Sequence, residues 1–384
     1  MARKYRENNI VIGVFSHPEF YPPTLNAIQE LSKIFDNVYV LSRNVLVSEW
    51  DYPSNVQLVA SGKYCTIRES EQKNVVQKFF SFFYFTFHLF KLIRKIKPAY
   101  IQVCDAIPLF SLFLLKKGIS KKIKIWYHNH DVCEIKLCRK FSIGWFAAVC
   151  ESKMFPKIDV FTLPAEDRKQ YFPLNQLKGT YYFLPNYPSS YFYSKFHSAK
   201  KLPNNEIKLV YQGSIGPGHG LEEIIEILHE KIENFSLSLH LKGFISDEYK
   251  SQLQQLSIKC LANNKLTFYG ITAYQDVPLL AVSCDIGIGI HTSNDIMNST
   301  LGTSSNKIYE YAALGLPVLL FDNKHFKENL SKFQWAFFTN LEAGNLKNTI
   351  STILQNQEHY SQCAIDSFQA ELNYENHFSK IKFI

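Results

Sequence analysis

The sequence has few of the patterns that mark membrane-spanning chains or metalloenzymes. The apolar run from Phe79 to Phe87 is too short to cross a bilayer, and Lys78, His88 and Lys91 flank it closely. The histidines form no H-E-x-x-H motif or equivalent with zinc-ligand spacing. We therefore predict no bound metal ion and no cofactor, so that any catalysis would be metal-independent.

The cysteines form no disulfide or redox framework. Cys133 and Cys138 are too far apart in sequence for a C-x-x-C motif, and no second pair matches them. Cys104 and Cys284 lie in apolar, strand-like runs, where free cysteines pack as small hydrophobic residues. A reduced, cytoplasmic protein is therefore expected. The basic N-terminus runs directly into a strand, which predicts no signal peptide.

Excess positive charge is restricted to the first half of the chain. Residues 1–190 contain 26 Lys and Arg against 15 Asp and Glu, whereas the remainder contains 16 against 19. Such asymmetry indicates that the first half meets an anionic partner. No nucleic-acid-binding motif accompanies the charge. An anionic membrane surface, such as the inner face of the plasma membrane, is the favoured partner, and nucleic acid is not expected.

The most informative segment is SSNKIYEYAALGLPVLLF at 304–321. A Ser-rich loop leads into a helix that carries Lys307 and Glu310, and Pro317 then opens a buried strand. The two charged residues lie one turn apart on one helical face, beside a helix N-terminus that favours anions. A solvated surface pair is the alternative. The position before a buried helix–strand unit favours a site for a phosphorylated ligand that also carries hydroxyl groups.

A second segment, IKLVYQGSIGPGHGLEEIIEILHEK at 207–231, predicts a strand, a glycine-rich turn and an amphipathic helix. Gly213, Gly216, Gly218 and Gly220 leave the backbone bare for the close approach of a ligand, and the helix that follows favours phosphate. The spacing is neither G-x-G-x-x-G nor Walker A. A plain strand–helix connection is the alternative, although four glycines in eight residues exceed what a turn needs.

Together the two segments resemble the GT4 family of retaining glycosyltransferases, which have the GT-B fold. The resemblance extends over nearly the whole chain, and its specific motifs lie in the C-terminal half. It implies an α/β protein of two Rossmann-like domains that face each other across a cleft. It also implies transfer of a sugar from a nucleoside-diphosphate sugar to an acceptor hydroxyl.

The resemblance implies roles for individual residues. In the family, the second Glu of a Glu-x7-Glu motif contacts the nucleotide ribose, and Glu310 occupies that position, while Gly302 stands where the first Glu would be. The family's glycine turn carries an Arg after its first glycine and a Lys before its last. This chain has Ser214 and His219 at those positions.

We therefore predict one set of residues that bind the donor and another that serve the reaction. The predicted donor-binding residues are Gly213, Ser214, Gly216, Gly218, Gly220, Ser304, Ser305, Asn306 and Glu310. Lys307 would stabilise the negative charge that develops on the leaving phosphate, and His219 would add a proton or charge if its pKa allowed.

The third candidate catalytic residue, His130, lies in the segment IKIWYHNHDVCE at 123–134. It follows a predicted strand, at the end where parallel sheets bind ligands. His130 and Asp131 match a His–Glu or His–Asp pair of related glycosyltransferases, whose His approaches the donor sugar. A histidine merely hydrogen-bonded at a strand end is the alternative. No carboxylate is obviously placed as a nucleophile, so retention would depend on front-side attack, as the family's behaviour implies.

Strands alternate with helices along the chain, which predicts parallel sheets covered on both faces. We expect an N-terminal acceptor-binding domain at 1–190, a nucleotide-sugar-binding domain at 191–365, and a terminal helix at 366–384 that crosses back to the first domain. Residues 184–205, rich in Pro, Asn and Ser, would form the linker.

The individual elements follow from the hydrophobic pattern. Strands are predicted at 9–15, 37–42, 99–104, 123–128, 158–163, 207–212, 237–242, 266–269, 285–289 and 317–321, and helices at 23–35 and 75–97.

The aromatic helix at 75–96 has two interpretations. A narrow polar stripe runs along it, and Phe, Leu and Ile fill almost everything else. The helix either packs deeply against the first sheet or dips an outer aromatic face into a membrane interface. The Lys-rich stretch at 116–124 favours the second interpretation, although such a run by itself is more often a solvated loop.

Three functions are compatible with these observations. The favoured one is a glycosyltransferase that builds a surface polysaccharide or glycolipid on a lipid-linked or saccharide acceptor. A nucleotide-sugar epimerase of the same architecture is the second. A non-catalytic binding partner is the third, because Gly302, Ser214 and His219 depart from the family pattern.

Overall fold

The computed structural model describes residues 8–43, 50–63, 72–196, 205–293 and 300–383. The chain divides into two compact units. Unit 1 comprises Met1–Pro185 and His377–Ile384, and unit 2 comprises Asn186–Asn376. Each unit is built on one sheet of parallel strands with helices between them, so the structure is of the mixed α/β type.

The strands of unit 1 are β1 (Asn9–Val14), β2 (Asn37–Arg43), β3 (Val56–Ser61), β4 (Tyr100–Cys104), β5 (Lys124–His128), β6 (Val160–Leu163) and β7 (Thr180–Phe183). Its helices are α1 (Pro22–Ser32), α2 (Val75–Ile96), α3 (Ala106–Leu115) and α4 (Ile143–Glu151).

The sheet of unit 1 has the order β3-β2-β1-β4-β5-β6-β7, with every pairing parallel. All six residues of β1 are buried, as expected for a central strand covered on both faces. The chain leaves β1 toward β2 and β3 and then returns to the other side of β1 as β4. The sheet therefore has its topological switch point between β1 and β4, where open parallel sheets bind ligands.

The strands of unit 2 are β8 (Glu206–Gln212), β9 (Lys231–Ile232), β10 (Phe235–Lys242), β11 (Leu266–Gly270), β12 (Ile286–Ile288), β13 (Val318–Phe321) and β14 (Ala336–Thr339). Its helices are α5 (Ser190–Tyr193), α6 (Leu221–Ile227), α7 (Asp247–Lys259), α8 (Val277–Val282), α9 (Asn306–Ala313), α10 (Lys324–Leu330), α11 (Ala343–Gln355) and α12 (Gln357–Ala370). A last helix, α13 (Tyr374–Phe378), lies where the chain passes from unit 2 into unit 1.

The sheet of unit 2 has the order β11-β10-β8-β12-β13-β14, and β9 adds an antiparallel pair to β10. Successive residues of β8 point to opposite faces, as the pleat requires. Leu209 packs in the hydrophobic core that includes Ile224 of α6, and Val210 packs in the core that includes Ile308 of α9. The switch point of this sheet lies between β8 and β12.

Every strand predicted from the sequence is confirmed, with ends within two residues. The predicted helix at 23–35 ends earlier, at Ser32. Four strands were not predicted: β3, β7, β9 and β14. β3 and β7 form the two edges of the sheet in unit 1, and most of their side chains are only partly buried, so the apolar pattern is weak there.

The segments at the predicted domain boundaries pack as follows. Residues 197–204 of the predicted linker lie outside the described residues, and the preceding Tyr187 and Tyr193 are buried in unit 2. The segment predicted as a terminal helix at 366–384 is divided between the units. Phe368 and Leu372 are core residues of unit 2, whereas the ring of Phe383 lies 5.7 Å from that of Trp126 in unit 1.

Helix α2 combines features of both interpretations offered for it. A capping box between Asn74 and Gln77 begins the helix, and one face carrying Phe82, Phe85 and Leu89 is fully buried. The opposite face exposes large apolar side chains at Val76, Phe80, Phe83, Tyr84 and Phe87. Across the described ranges, no helix is both long enough and apolar enough to span a membrane.

Candidate functional site

The glycine-rich turn 213–220 connects β8 to α6 at the switch point of unit 2. It is held by hydrogen bonds from neighbouring strands and loops: Gly213 N–H donates to Lys242 O (2.9 Å), and Thr292 donates from both its N–H (3.0 Å) and its hydroxyl (3.2 Å) to Gly218 O. Gly218 has φ = 82°, a left-handed conformation that favours glycine. A Cβ atom added at Gly216 would meet no atom within 4 Å, so the turn is open there.

Lys307 on α9 reaches this turn. Its Nζ donates a hydrogen bond to the hydroxyl of Tyr211 (2.6 Å) and lies 4.0 Å from the centre of the Tyr211 ring. A Cβ atom at Gly213 would lie 3.5 Å from Lys307 Cε. Two elements that the sequence singled out separately therefore meet in the folded chain. Burial lowers the pKa of Lys307 to about 7, against the opposing effect of the Glu310 carboxylate.

His219 lies beside the same cation. Its Nδ1 accepts the N–H of Gly216 (3.3 Å) and is 2.9 Å from the Tyr211 hydroxyl, and its ring stacks on that of Tyr211 at 4.9 Å. Burial, with the charge of Lys307, lowers the pKa of His219 to about 3. The imidazole is therefore neutral at pH 7, so it can donate a hydrogen bond but adds no charge.

A third basic side chain in this cluster, His291, was not singled out from the sequence. Its Nε2 is 3.5 Å from Lys307 Nζ, and its ring meets that of His219 edge to face at 4.8 Å. Burial lowers the pKa of His291 to about 2, with Lys307 and His219 acting in the same direction. The sequence feature that could have identified His291 is its position just after β12, the strand that pairs with β8 at the switch point.

Glu310 is buried, with 5% of its surface exposed. Its carboxylate accepts hydrogen bonds from Gln212 Nε2 (3.0 Å) and from the hydroxyl of Tyr274 (3.1 Å). Burial raises the pKa of Glu310, although hydrogen bonds from Tyr193, Tyr274 and Gln212 oppose the shift. Glu310 is therefore anchored inside unit 2, and the alternative of a solvated surface pair with Lys307 does not describe it.

The segment before α9 is buried as well. Ser304 donates its hydroxyl to Thr300 O (2.8 Å), Ser305 is the N-cap residue, and Asn306 is the first residue of the helix. Gly302 stands at the position of the first Glu in the Glu-x7-Glu motif. The space beside it is occupied, because an added Cβ atom would lie 2.6 Å from the side-chain amide of Asn329. The departure at Gly302 therefore belongs to a packed local structure in which no longer side chain fits. Ser214, in contrast, is exposed on the turn.

In unit 1, His130 is placed at the carboxyl end of β5 but is only 4% exposed. Its Nδ1 is 3.3 Å from Asp105 Oδ2 and its Nε2 is 3.4 Å from the hydroxyl of Thr24. The backbone N–H of His130 donates to Asp105 Oδ1 (2.7 Å), and the Arg168 side chain donates to the backbone carbonyl oxygen of His130. The structure thus shows His130 held by hydrogen bonds at a strand end, and its catalytic role stays a prediction.

Asp105 was missed from the sequence. It follows β4 at the switch point and has φ = 68° and ψ = 174°, a region that residues other than glycine rarely occupy. With Tyr21 and Asp131 it lines a cavity of about 300 Å³ at the carboxyl ends of β1, β4 and β5. The residues that line this cavity thus include two carboxylates and a phenol, beside the apolar side chains of Phe15 and Val132.

Among the described side chains, no group of three or more His, Cys, Asp and Glu residues is arranged to hold a metal ion. The chemistry that the clusters themselves offer is anion binding in unit 2 and hydroxyl binding in the cavity of unit 1.

Comparison with known proteins gives these clusters a context. Residues 193–368 match the family of glycosyl transferases group 1. The match spans most of unit 2, including the glycine-rich turn, His291 and Lys307. A search of the curated proteins found no significant match.

Solved structures resemble the whole chain. Sucrose-phosphate synthase (tll1590) from Thermosynechococcus elongatus has a TM-score of 0.69 at 12% identity over 96% of both chains. Anabaena Alr3699/HepE in complex with UDP-glucose has a TM-score of 0.65 at 14% identity over 97% of both chains. WaaG, a glycosyltransferase involved in lipopolysaccharide biosynthesis, has a TM-score of 0.64 at 14% identity over 96% of this chain and 98% of its own. At these identities the likeness shows the fold, which is that of the GT-B glycosyltransferases.

Proposed function

We propose that the protein transfers a sugar, with retention, from a nucleoside-diphosphate sugar to a hydroxyl group of a lipid-linked or saccharide acceptor. The observation that carries this proposal is the convergence of the glycine-rich turn, His219 and Lys307 at the switch point of unit 2. This cluster offers an open backbone turn and a cation in one place, as a diphosphate requires. It also lies within the region that matches the glycosyl transferase family.

In the proposed mechanism, unit 2 stabilises the leaving group. Cleavage of the sugar–phosphate bond develops negative charge on the diphosphate, and Lys307, which Tyr211 holds beside the open turn, would stabilise that charge. Such preorganised groups are usually the largest single catalytic contribution. The Nδ1 atom of His219 accepts the Gly216 N–H, so the proton of the neutral imidazole lies on Nε2. In the proposed mechanism, this Nε2–H donates a hydrogen bond to a phosphate oxygen.

In unit 1, the cavity beside Asp105 would receive the acceptor. The carboxylates of Asp105 and Asp131 accept hydrogen bonds from hydroxyl groups, and Tyr21 and Phe15 provide apolar surface for a sugar ring. His130 binds Asp105 through both its backbone and its ring, and so holds that carboxylate at the cavity. The proposed role of His130 is therefore to orient Asp105, rather than the direct approach to the donor sugar expected from the sequence.

Incubation with a panel of radiolabelled nucleotide sugars, beginning with UDP-glucose, tests the proposal. A transferase slowly hydrolyses its donor to the free sugar when no acceptor is present, and transfers the label when a suitable acceptor is added. Conversion to an epimeric nucleotide sugar would favour an epimerase. Binding without turnover in the presence of lipid and saccharide acceptors would favour a non-catalytic partner.

Glu310→Gln is expected to weaken binding of UDP by about ten- to a hundredfold, because a hydrogen bond from a ribose hydroxyl to a charged group contributes roughly 1.5–3 kcal/mol. The shape of the side chain is preserved, but Gln212 and Tyr274 lose a charged acceptor. We therefore also expect a loss of stability of about 1 kcal/mol. Calorimetric titration with UDP and thermal unfolding measure the two effects. Unchanged affinity in a destabilised variant would reduce Glu310 to a structural role.

We further propose that unit 1 docks on an anionic membrane, where a lipid-linked acceptor is found. This proposal rests on the exposed aromatic face of α2, where Phe80 is 72% exposed and Phe83 and Phe87 are more than half exposed. Basic side chains lie beside this face, with Lys91 Nζ 5.1 Å from the ring of Phe87. The Lys-rich loop is adjacent too, since a Cβ atom at Gly118 would lie 2.9 Å from the ring of Phe90.

The double substitution Phe80→Ser and Phe83→Ser is expected to reduce co-sedimentation with anionic liposomes at least tenfold. Two aromatic side chains would no longer enter the interface, and each fully buried Phe contributes about 1.5–3 kcal/mol. Binding by the unsubstituted protein should also fall with added salt, which screens the lysines. Leu261→Ser is the matched control, because Leu261 is 81% exposed in unit 2. Equal loss in both variants, or no binding by the unsubstituted protein at low salt, would contradict membrane docking.

A further inference from the structure

The anion site of unit 2 holds three basic side chains that cannot all carry charge. We propose that His291 is a further ligand of the leaving diphosphate, and that His291, His219 and Lys307 act as one proton-sharing cluster that takes up a proton when the diphosphate binds. The inference rests on the proposed function, since the diphosphate is that of the donor.

His291 is built into the site by its backbone. It lies three residues after β12, the strand that pairs with β8, and the next residue, Thr292, makes two hydrogen bonds to Gly218 of the glycine-rich turn. These two hydrogen bonds fix the segment that carries His291, whose imidazole lies beside both Lys307 and His219. The three basic side chains thus come from three separate elements: the turn, the segment after β12, and helix α9. An anion bound at the turn meets all three.

Among the described residues, the cluster has little compensating negative charge. The described ionisable groups that face Lys307 are Tyr211 on β8, His219 on the turn, His291 after β12, and Glu310 on α9 itself. Burial raises the pKa of Tyr211, so the phenol stays neutral. Glu310, the one carboxylate among these described groups, is already shared by two hydrogen-bond donors, Gln212 and Tyr274. Like charges at these distances disfavour one another.

Before an anion binds, the cluster therefore carries less positive charge than its residues suggest. The two imidazoles are neutral at pH 7, and burial lowers the pKa of Lys307 to about 7, so this ammonium is the group of the cluster that titrates nearest to neutral pH. A diphosphate supplies the missing negative charge and favours the protonated forms. The pKa of the cluster rises on binding, so protons are taken up at pH values between the free and bound pKa. Above pH 7, affinity then falls as the pH rises, by up to about tenfold per unit.

Calorimetric titration with UDP at pH 7.5, 8.5 and 9.5 tests this dependence on the unsubstituted protein. The terminal phosphate of UDP ionises near pH 6, so its own charge is nearly constant over this range. We expect Kd to rise over this range, with tenfold per pH unit as the upper limit for one proton. At pH 8, titrations in buffers of different ionisation enthalpy should show a net uptake of protons when UDP binds. Tight binding with a flat Kd and no uptake would overturn this inference while leaving the proposed function intact.

Two variants test the assignment to individual residues. Lys307→Arg carries a permanent charge, so its Kd should be independent of pH and its proton uptake close to zero. His291→Phe should bind UDP at least about tenfold more weakly, and His291→Gln, which keeps a hydrogen-bond donor, should recover most of that loss.

His240→Gln is the control and should leave UDP binding unchanged. His240 lies on β10, and its ring is hydrogen-bonded to Ser238 and Tyr269 rather than to the basic cluster. A pH dependence that persists in Lys307→Arg, or a His291→Phe variant that binds UDP normally, would contradict the proposal. If no nucleoside diphosphate binds the unsubstituted protein at pH 7.5, the proposed function fails first.

Discussion

Lys307→Ala is expected to lower the turnover of a nucleotide sugar by about 10²–10³-fold, with a smaller effect on donor affinity. The negative charge on the diphosphate grows as the sugar–phosphate bond breaks, so a cation at this position stabilises the transition state more than the ground state. Its ammonium lies beside the open turn and is oriented by Tyr211. Single-turnover rates and equilibrium titration with the same donor separate the two effects.

The matched control is Lys324→Ala, at an exposed lysine of the same unit whose Nζ is 3.6 Å from the Glu328 carboxylate. It should leave both turnover and affinity unchanged. Thermal unfolding of both variants checks that the fold survives. If Lys307→Ala turns over at more than about a third of the normal rate, the cation does not serve the leaving group and the proposed mechanism loses its main catalytic element.

Gly218→Val is expected to abolish detectable donor binding. At φ = 82° a β-branched side chain is strained, and the new Cβ atom would lie 3.1 Å from the hydroxyl of Thr292, which holds this part of the turn. The turn must therefore change its path, and the backbone N–H groups that would bind phosphate change with it. A loss of stability of about 1–2 kcal/mol should accompany the loss of binding. Titration with UDP and thermal unfolding measure both.

Gly216→Ala is the matched comparison within the turn. Gly216 does not have a left-handed φ, and a Cβ atom added there meets nothing within 4 Å. The variant should fold with normal stability, so any loss of affinity reports a steric conflict with the ligand alone. If Gly218→Val binds UDP as well as the unsubstituted protein does, the turn is a plain strand–helix connection and the donor site lies elsewhere.

The sequence predicted the fold best where burial is complete. β1 is buried along its whole length, and its continuous apolar run identified it directly. The edge strands β3 and β7 were missed because their side chains are partly exposed and the apolar signal is correspondingly weak. The meeting of the glycine-rich turn with Lys307 was also predictable, since carboxyl ends of parallel strands share one edge of a sheet.

What the sequence did not predict depends on contacts between distant segments. His291 and Asp105 are single residues after short strands, and no local motif distinguishes them. His291 matters because β12 pairs with β8, and Asp105 because β4 pairs with β1. The burial of Glu310 was missed for a similar reason, because its partners Gln212 and Tyr274 come from other elements. The low pKa of His219 likewise follows from its surroundings rather than from its position in a motif.

The most direct test of the central claim is hydrogen–deuterium exchange of the backbone amides with and without saturating UDP or UDP-glucose. If unit 2 binds the diphosphate as proposed, exchange should slow in peptides that cover 213–220, 289–293 and 304–310, and the Gly218→Val variant should lose this protection. Protection confined to other segments, or no protection under conditions where calorimetry reports binding, would contradict the account.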